Sequence, residues 1–331
     1  MLSSKHHNIK AVYQVLRWYY LDNVSQQEIA RRLNLPNATV AEYLEYGRDQ
    51  KLIEVKLNLP VFESNVSMTA SGPPKTSYKE LGTAIQKRFD IKECRIVISF
   101  PDTQQTLKAI AKELGTMLEG ILQEGGYLGI GWGTTMEAMA RYVWISKKVR
   151  VMVIPTATGT DMQVLESSIN FLARFFANKI GGSYYAVTIP CIADSKEAKQ
   201  AHVKNPKMLE FITLAKKITI GLASIGRISP DAALFKKSKI SQQEVEDLQG
   251  LGLIGNINFT FFDQQGKCIP NKLGERIIDV FPLELMQKTG NMIGVSFGDD
   301  KAEVIRAALK GKFIHRLITD HHTAEKVLKE K

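Results

Sequence analysis

The sequence predicts an α/β protein in two parts. Residues 1–60 form a small helix-turn-helix, winged-helix-like domain, and residues 78–331 a larger doubly wound, mostly parallel sheet domain. Three observations predict this. Between Val12 and Leu44, apolar residues recur at three- and four-residue spacing in short runs. The stretch 61–77, within "FESNVSMTASGPPKTS", has no such period and is rich in Ser, Thr, Gly and Pro, which marks a linker. From Tyr78 onward, short apolar runs alternate with longer amphipathic ones. That is the pattern of a parallel sheet with helices on both faces.

Composition sets the outer limits. With 331 residues, 44% hydrophobic and 24% charged, the chain can bury ordinary globular cores. No apolar run approaches the roughly 18 residues of a membrane span. Lys10, Gln14, Arg17 and Asp22 interrupt the N-terminus, so no secretory h-region is expected there. Cys94, Cys191 and Cys268 follow no metal-site spacing and are expected to be reduced thiols of a cytoplasmic protein. The net charge is +10, yet residues 1–60 hold eight Lys/Arg against six Asp/Glu, a surplus of only two. Bulk charge therefore argues weakly for DNA, and the case rests on the motif.

The motif is Leu16–Val55, and Val12, Val15, Leu16 and Tyr19 give a first helix leading into it. Ser25 and Glu28 form a Ser-x-x-Glu capping box opening a second, with Ile29, Ala30 and Leu33 facing inward. Asn34-Leu35-Pro36 ends it, because a residue before proline leaves the helical region. Asn37 is placed to cap a third helix whose inner face is Val40, Tyr43 and Leu44. The last helix of such a unit enters the DNA major groove. Candidate DNA contacts are Asn37, Thr39 and Tyr43, with Arg32 and Arg48 on phosphates. "LIEVKLNLP" follows as a short strand or wing.

In the larger part, strands are expected at Cys94–Ser99, Tyr127–Gly131, Val149–Ile154, Tyr184–Ile189, Ile218–Ser224, Met292–Phe297 and His315–Asp320. Helices lie between them, and a hairpin turning at Asp263–Gly266 interrupts the alternation. Ligands of such sheets collect where strands end and helices begin. Three stretches meet that rule. Gly131-Trp132-Gly133-Thr134-Thr135 pairs close-approach glycines with hydroxyl donors at a helix start. Gly298-Asp299-Asp300-Lys301 places a lysine in the first turn of a helix, where lysine is electrostatically unusual. Arg227 follows a strand and a glycine, where its guanidinium can meet a phosphate or a sugar hydroxyl. The first is neither a Walker A loop nor a complete GxGxxG fingerprint. A tight turn, an ion-paired lysine and a surface arginine are the plain alternatives.

These parts, in this order, closely resemble the SorC family of bacterial transcriptional regulators. In the first domain the matching residues are Gln26, Gln27, Glu28, Ile29, Ala30, Leu33, Thr39, Val40, Leu44 and Arg48. In the second they are Gly129–Met136, Gly221–Arg227, Gly298–Ile305 and Leu317–Asp320. The resemblance spans Val12 to Leu328. It implies a sheet domain similar to sugar-phosphate isomerases and deaminases. It also implies operator DNA as partner, a phosphorylated sugar or polyol as effector, no cofactor or metal, and a homotetramer. The effector-binding residues it implies are Gly131, Gly133, Thr134, Thr135, Arg227, Asn256 and Lys301.

Three departures from the family pattern stand out. Ala41-Glu42 replaces Ser-Arg in the recognition helix, with Glu45 one turn later. Either the operator differs, or Glu42 faces an intramolecular base such as Arg31 or Arg32. Asn256 stands where a carboxylate is usual, which implies a different hydroxyl pattern. The loop holding Thr156, Thr158 and Thr160 has no Lys or Arg, which favours a monophosphate. An enzyme of the isomerase or deaminase class is the alternative, but none of the six histidines falls in the three loops. His321 and His322 come nearest.

Overall fold

The computed structural model describes residues 9–22, 24–50, 52–53, 77–159, 168–238 and 240–329. The chain divides into two compact units, residues 1–70 and 71–331. The described residues include no helix long and apolar enough to cross a membrane.

The N-terminal unit is three helices, α1 (Ile9–Tyr20), α2 (Gln26–Leu33) and α3 (Asn37–Asp49). Val12, Val15, Leu16, Ile29, Ala30, Val40 and Leu44 are its core. Gly47 lets α3 approach α1, since a Cβ there would stand 2.6 Å from Leu16 Cδ2. Asn34, left-handed at φ 51°, closes α2, and only Leu35 and Pro36 separate it from α3. That tight turn is the helix-turn-helix geometry.

Two local expectations need correction. Ser25 Oγ accepts from Glu28 N at 3.2 Å, but the Glu28 carboxylate binds Arg31 and Arg32 rather than completing the box. The cap position of α3 is Pro36, so Asn37 is the first helical residue and exposed. Beyond Ile53, the expected wing lies outside the described residues.

The larger unit is built on a seven-stranded parallel sheet. Its strands are β1 (Glu93–Val97), β2 (Tyr127–Ile130), β3 (Met152–Pro155), β4 (Ser183–Tyr184), β5 (Ile220–Ser224), β9 (Met292–Val295) and β10 (Arg316–Asp320). Their order is β1-β10-β9-β5-β2-β3-β4. The central strands β2, β5 and β9 are almost wholly buried, as parallel strands covered on both faces must be. A three-stranded antiparallel sheet, β6 (Gly226–Arg227), β7 (Leu253–Ile257) and β8 (Thr260–Asp263), is inserted between β5 and β9.

Helices form two packed rows against the main sheet. One is α5 (Thr103–Ile121), α6 (Thr134–Tyr142) and α7 (Ile169–Ile180). The other holds α4 (Tyr78–Phe89), α13 (Ala302–Lys310) and α14 (His321–Leu328). Ser77 and Glu80 complete a reciprocal capping box on α4. Between these lie α8 (Lys196–Val203), α9 (Pro206–Ala215), α10 (Ala233–Lys237), α11 (Gln242–Gly250) and α12 (Leu283–Thr289).

Two differences from expectation concern strands. The fourth strand has only two residues, because it pairs β3 at a short exposed edge and then leaves the sheet. The hairpin joining β7 to β8 turns at Asn258–Phe259, in addition to the expected turn at Asp263–Gly266, across which Phe262 and Cys268 bridge antiparallel. The latter is a second turn, in which Asp263 Oδ1 accepts from Gln265 N and Lys267 N.

The sheet order fixes where a ligand can enter. After β2 the chain runs through α6 to β3 on one side; after β5 it proceeds to β9 on the other. The loops leaving β2 and β5 therefore diverge, and a crevice opens between them at the carboxyl ends of the strands.

Candidate functional site: a cleft at the switch point

At that crevice lies a cleft of about 230 Å³. Its walls are the turn Trp132–Thr135 after β2, the segment Ser224–Arg227 after β5, Asn256 of β7, Asp231, and Asp300-Lys301 before α13. The three loops singled out in the sequence thus converge. A groove of about 950 Å³ between α11 and Pro270–Glu275 is larger, but its lining carries three glutamates and an aspartate against one lysine. Its chemistry does not suit an anion.

The first wall is shaped by Gly133. Its φ of +136° is open to glycine, and a Cβ would run into Ser224 Oγ. Ser224 Oγ in turn donates to Trp132 O at 3.0 Å. Gly133 caps α6 without a side-chain hydrogen bond, so the first N–H groups of the helix face the cleft without a side-chain acceptor. With the positive end of the helix dipole, they make a surface whose chemistry suits an anion, and Thr134 and Thr135 belong to the same lining.

The opposite wall carries the charges. Arg227 binds Asp231 Oδ2 through Nη2 at 2.7 Å and Asp300 Oδ2 through Nε at 2.9 Å. The Asp231 carboxyl is held below its ordinary range, chiefly by the Ser229 hydroxyl and then by Arg227. Lys301 differs: among the described residues its ammonium makes no hydrogen bond or ion pair. Burial, and the charge of Arg227, hold its pKa below the usual lysine value despite Asp300 nearby. Gly298, at φ +107°, turns the chain into this segment and donates its N–H to Thr323 Oγ1 at 2.8 Å. Asn256 is 7% exposed and its Nδ2 has no hydrogen-bond partner among the described residues.

Of the expected effector residues, Gly133, Thr134, Thr135, Arg227, Asn256 and Lys301 line the cleft. Gly131 does not. It stands one step back, where a Cβ would meet Asn258 Oδ1 and, at 3.1 Å, Ala223 Cβ, so its role is close packing. Asp231 and Ser224 also belong to the lining and were not anticipated. The signal for Asp231 was its place four residues after Arg227. Thr158 Oγ1 donates to Pro190 O at 2.9 Å, and Thr160 lies outside the described residues. His321 sits away from the cleft lining. Its Nδ1 accepts from Ser99 N at 3.0 Å and its ring packs at a tilt against Tyr78 and His322.

On α3, Asn37 and Arg48 are exposed, with Ala41 and Glu45 on the same face. Thr39 and Tyr43 are half-buried, Tyr43 against the helical core. Arg32 is held by Glu28 at 2.8 Å and lies 5.6 Å from the Trp18 ring centroid. The two guanidiniums hold the Glu28 carboxyl at about 2. A phosphate would have to compete for Arg32.

Known proteins match along nearly the whole chain. The profile of a family described as "Putative sugar-binding domain" matches residues 74–329. The deoxyribonucleoside regulator of Bacillus subtilis is 23% identical, with 96% of each chain covered. The transcriptional regulator LsrR of Escherichia coli is 27% identical over 96% of this chain and 94% of its own. The full-length sorbitol operon regulator SorC from Klebsiella pneumoniae superposes with a TM-score of 0.72 at 20% identity, covering 98% of this chain and all of that one. The chain belongs to the SorC family of transcriptional regulators, with a sugar-binding domain behind its helix-turn-helix.

Proposed function

We propose that this chain is a sequence-specific DNA-binding regulator of carbohydrate-metabolism genes, controlled by a phosphorylated sugar or polyol in the switch-point cleft. The observation that carries this reading is Lys301: a half-buried ammonium that forms no ion pair among the described residues, though Asp300 and Asp231 lie near it, in the cleft that the α6 N-terminus also lines. A phosphate would meet both. Asp231 and Asp300 together outweigh Arg227, so Lys301 is the one cation of the cleft outside an ion pair among the described residues and brings its four charges to zero, which suits one phosphate rather than two. The relatives named for sorbitol and for deoxyribonucleosides support a carbohydrate-derived effector.

We read the protein as a sensor and not an enzyme. The ionisable side chains of the cleft are Arg227, Asp231, Asp300 and Lys301. Both carboxylates are committed to Arg227, which leaves neither placed as a general base. The protein works as a cytoplasmic homotetramer. Effector binding shifts the sheet domain between states that present the paired helix-turn-helix units differently to operator half-sites, with Asn37, Thr39, Tyr43, Arg32 and Arg48 toward DNA.

Fluorescence anisotropy tests this. DNA from upstream of the chain's own gene should bind at least ~10³-fold tighter than random DNA at physiological salt. One phosphorylated sugar should change that affinity. Equal binding to both DNAs contradicts the reading.

A further inference from the structure

The segment Pro270–Glu275 of the larger unit borders two surfaces of opposite charge. One is the groove of about 950 Å³ against α11. The outward face of α11 lines it with Gln243, Glu246, Asp247 and Leu251, at helical spacing, while Val245 and Leu248 are buried. Among the described residues Glu246 and Asp247 form no ion pair. Each accepts from a glutamine of its own helix, Glu246 from Gln242 at 2.9 Å and Asp247 from Gln243 at 3.1 Å. Leu251, 44% exposed, and Pro270 add apolar surface to the same lining.

The other surface belongs to α8. None of its eight residues is buried, and a helix this short is marginal in water without a packed face. Ser195 Oγ caps it by accepting from Ala198 N at 3.1 Å. Lys199 Nζ donates to Gly274 O at 3.0 Å, and Lys196 Nζ meets Glu275 Oε1 at 3.4 Å. Lys196, Gln200 and Lys204 recur every four residues, so they share one face. With Lys199 and Val203 they line a second hollow of about 320 Å³, which Glu275 completes. Three lysines there face one acid, whereas in the groove four acids face one lysine. The two hollows share Glu275, so the acidic and basic surfaces adjoin.

We propose that these adjoining surfaces form an interface between two copies of the chain, with α8 of one copy seated in the α11 groove of the other. Opposite charges side by side make the surface self-complementary. A two-fold axis near the Lys196–Glu275 pair makes both contacts at once, as a closed isologous interface requires. Lys196 and Lys204 of one copy then reach Glu246 and Asp247 of the other, with their stems on Leu251 and Pro270. A basic peptide would match the groove but leave α8 bare; a second copy covers both. The inference rests on the proposed homotetramer, to which it supplies one interface, and is independent of the effector.

The test is sedimentation velocity of the full chain and two charge-reversal variants. Glu246→Lys with Asp247→Lys reverses the groove, and Lys196→Glu with Lys204→Glu reverses the helix. All four side chains are exposed, so the fold should hold. The wild type is expected to sediment as a tetramer. Each variant alone should sediment as a smaller species, its association weakened roughly 100-fold or more, because like charges then face each other across the interface. An equimolar mixture of the two variants should restore the tetramer. In the mixed pair the reversed groove meets the reversed helix, and the native groove the native helix. A folding defect would not be mended by mixing. Variants that assemble as the wild type does overturn the proposal alone, and so do variants that dissociate and stay apart when mixed. A monomeric wild type overturns the homotetramer reading, and this proposal with it.

Discussion

Arg227 Nε and Asp300 Oδ2 are 2.9 Å apart, while Lys301, next in the chain to Asp300, forms no ion pair among the described residues. This division of labour defines the cleft. The arginine is locked by two acids and shapes the wall; the lysine remains available for charge. Asp300→Asn should therefore free half of Arg227's pairing and allow a second anion. Isothermal titration with sugar bisphosphates is expected to show tighter binding to Asp300→Asn than to wild type. A wild type that already prefers a bisphosphate over every monophosphate contradicts the one-cation account.

Gly133→Ala should act on the ligand before it acts on the fold. The residue sits at φ +136° and its new Cβ would press on Ser224 Oγ. The strain is of order 1–3 kcal/mol, confined to the turn. Melting without ligand should show a modest loss, and phosphate-dependent stabilisation should vanish. A variant that keeps the full ligand response removes the turn from the site.

In the N-terminal unit, Glu28 pairs with Arg31 and with Arg32, the latter proposed to meet a DNA phosphate. Glu28→Gln releases Arg31 and Arg32. DNA binding should then strengthen at low salt and depend more steeply on salt. The log–log slope should grow by about 0.9 for each phosphate newly contacted. An unchanged slope means that Arg32 faces away from the backbone.

His321 and His315 predict a pH effect with a definite sign. Burial holds both imidazoles below their ordinary 6.5, aided by His322 in one case and Lys92 and Lys312 in the other. Asp320 and Glu325 oppose this at His321 without reversing it. Between the folded value and 6.5 the unfolded chain binds more protons, so stability is full above 6.5 and falls as pH drops below it. His321→Asn keeps an acceptor for Ser99 N–H and removes that titration. Urea melts from pH 7.5 to 5 should show a shallower decline for the variant; equal slopes contradict the assignment.

Much of this was legible in the sequence because it depends on period and punctuation. The 3.6-residue rhythm of α1–α3 and the alternation from Tyr78 are local patterns, and each central strand is a continuous apolar run. The loop residues Gly133, Thr134, Arg227 and Lys301 were findable because parallel sheets place ligands at strand ends. What was not legible was tertiary. Whether Glu28 turns to its own cap or to Arg31 and Arg32 is decided by competing partners, not by spacing. Whether Gly131 faces ligand or packs against Asn258 depends on a hairpin more than a hundred residues away. The turn at Asn258–Phe259 was missed because it lacks glycine, the usual mark of a positive-φ pair.

The central claim is that the cleft senses a phosphate through Lys301. Thermal melting of wild type and Lys301→Ala against phosphorylated and free sugars and polyols tests it most directly. One phosphorylated member at about 100 times its dissociation constant should add roughly 2.7 kcal/mol of stability to the wild type. The same sugar without phosphate should be silent, and Lys301→Ala should not respond. A ligand that stabilises both proteins equally, or binds as well without its phosphate, contradicts the account.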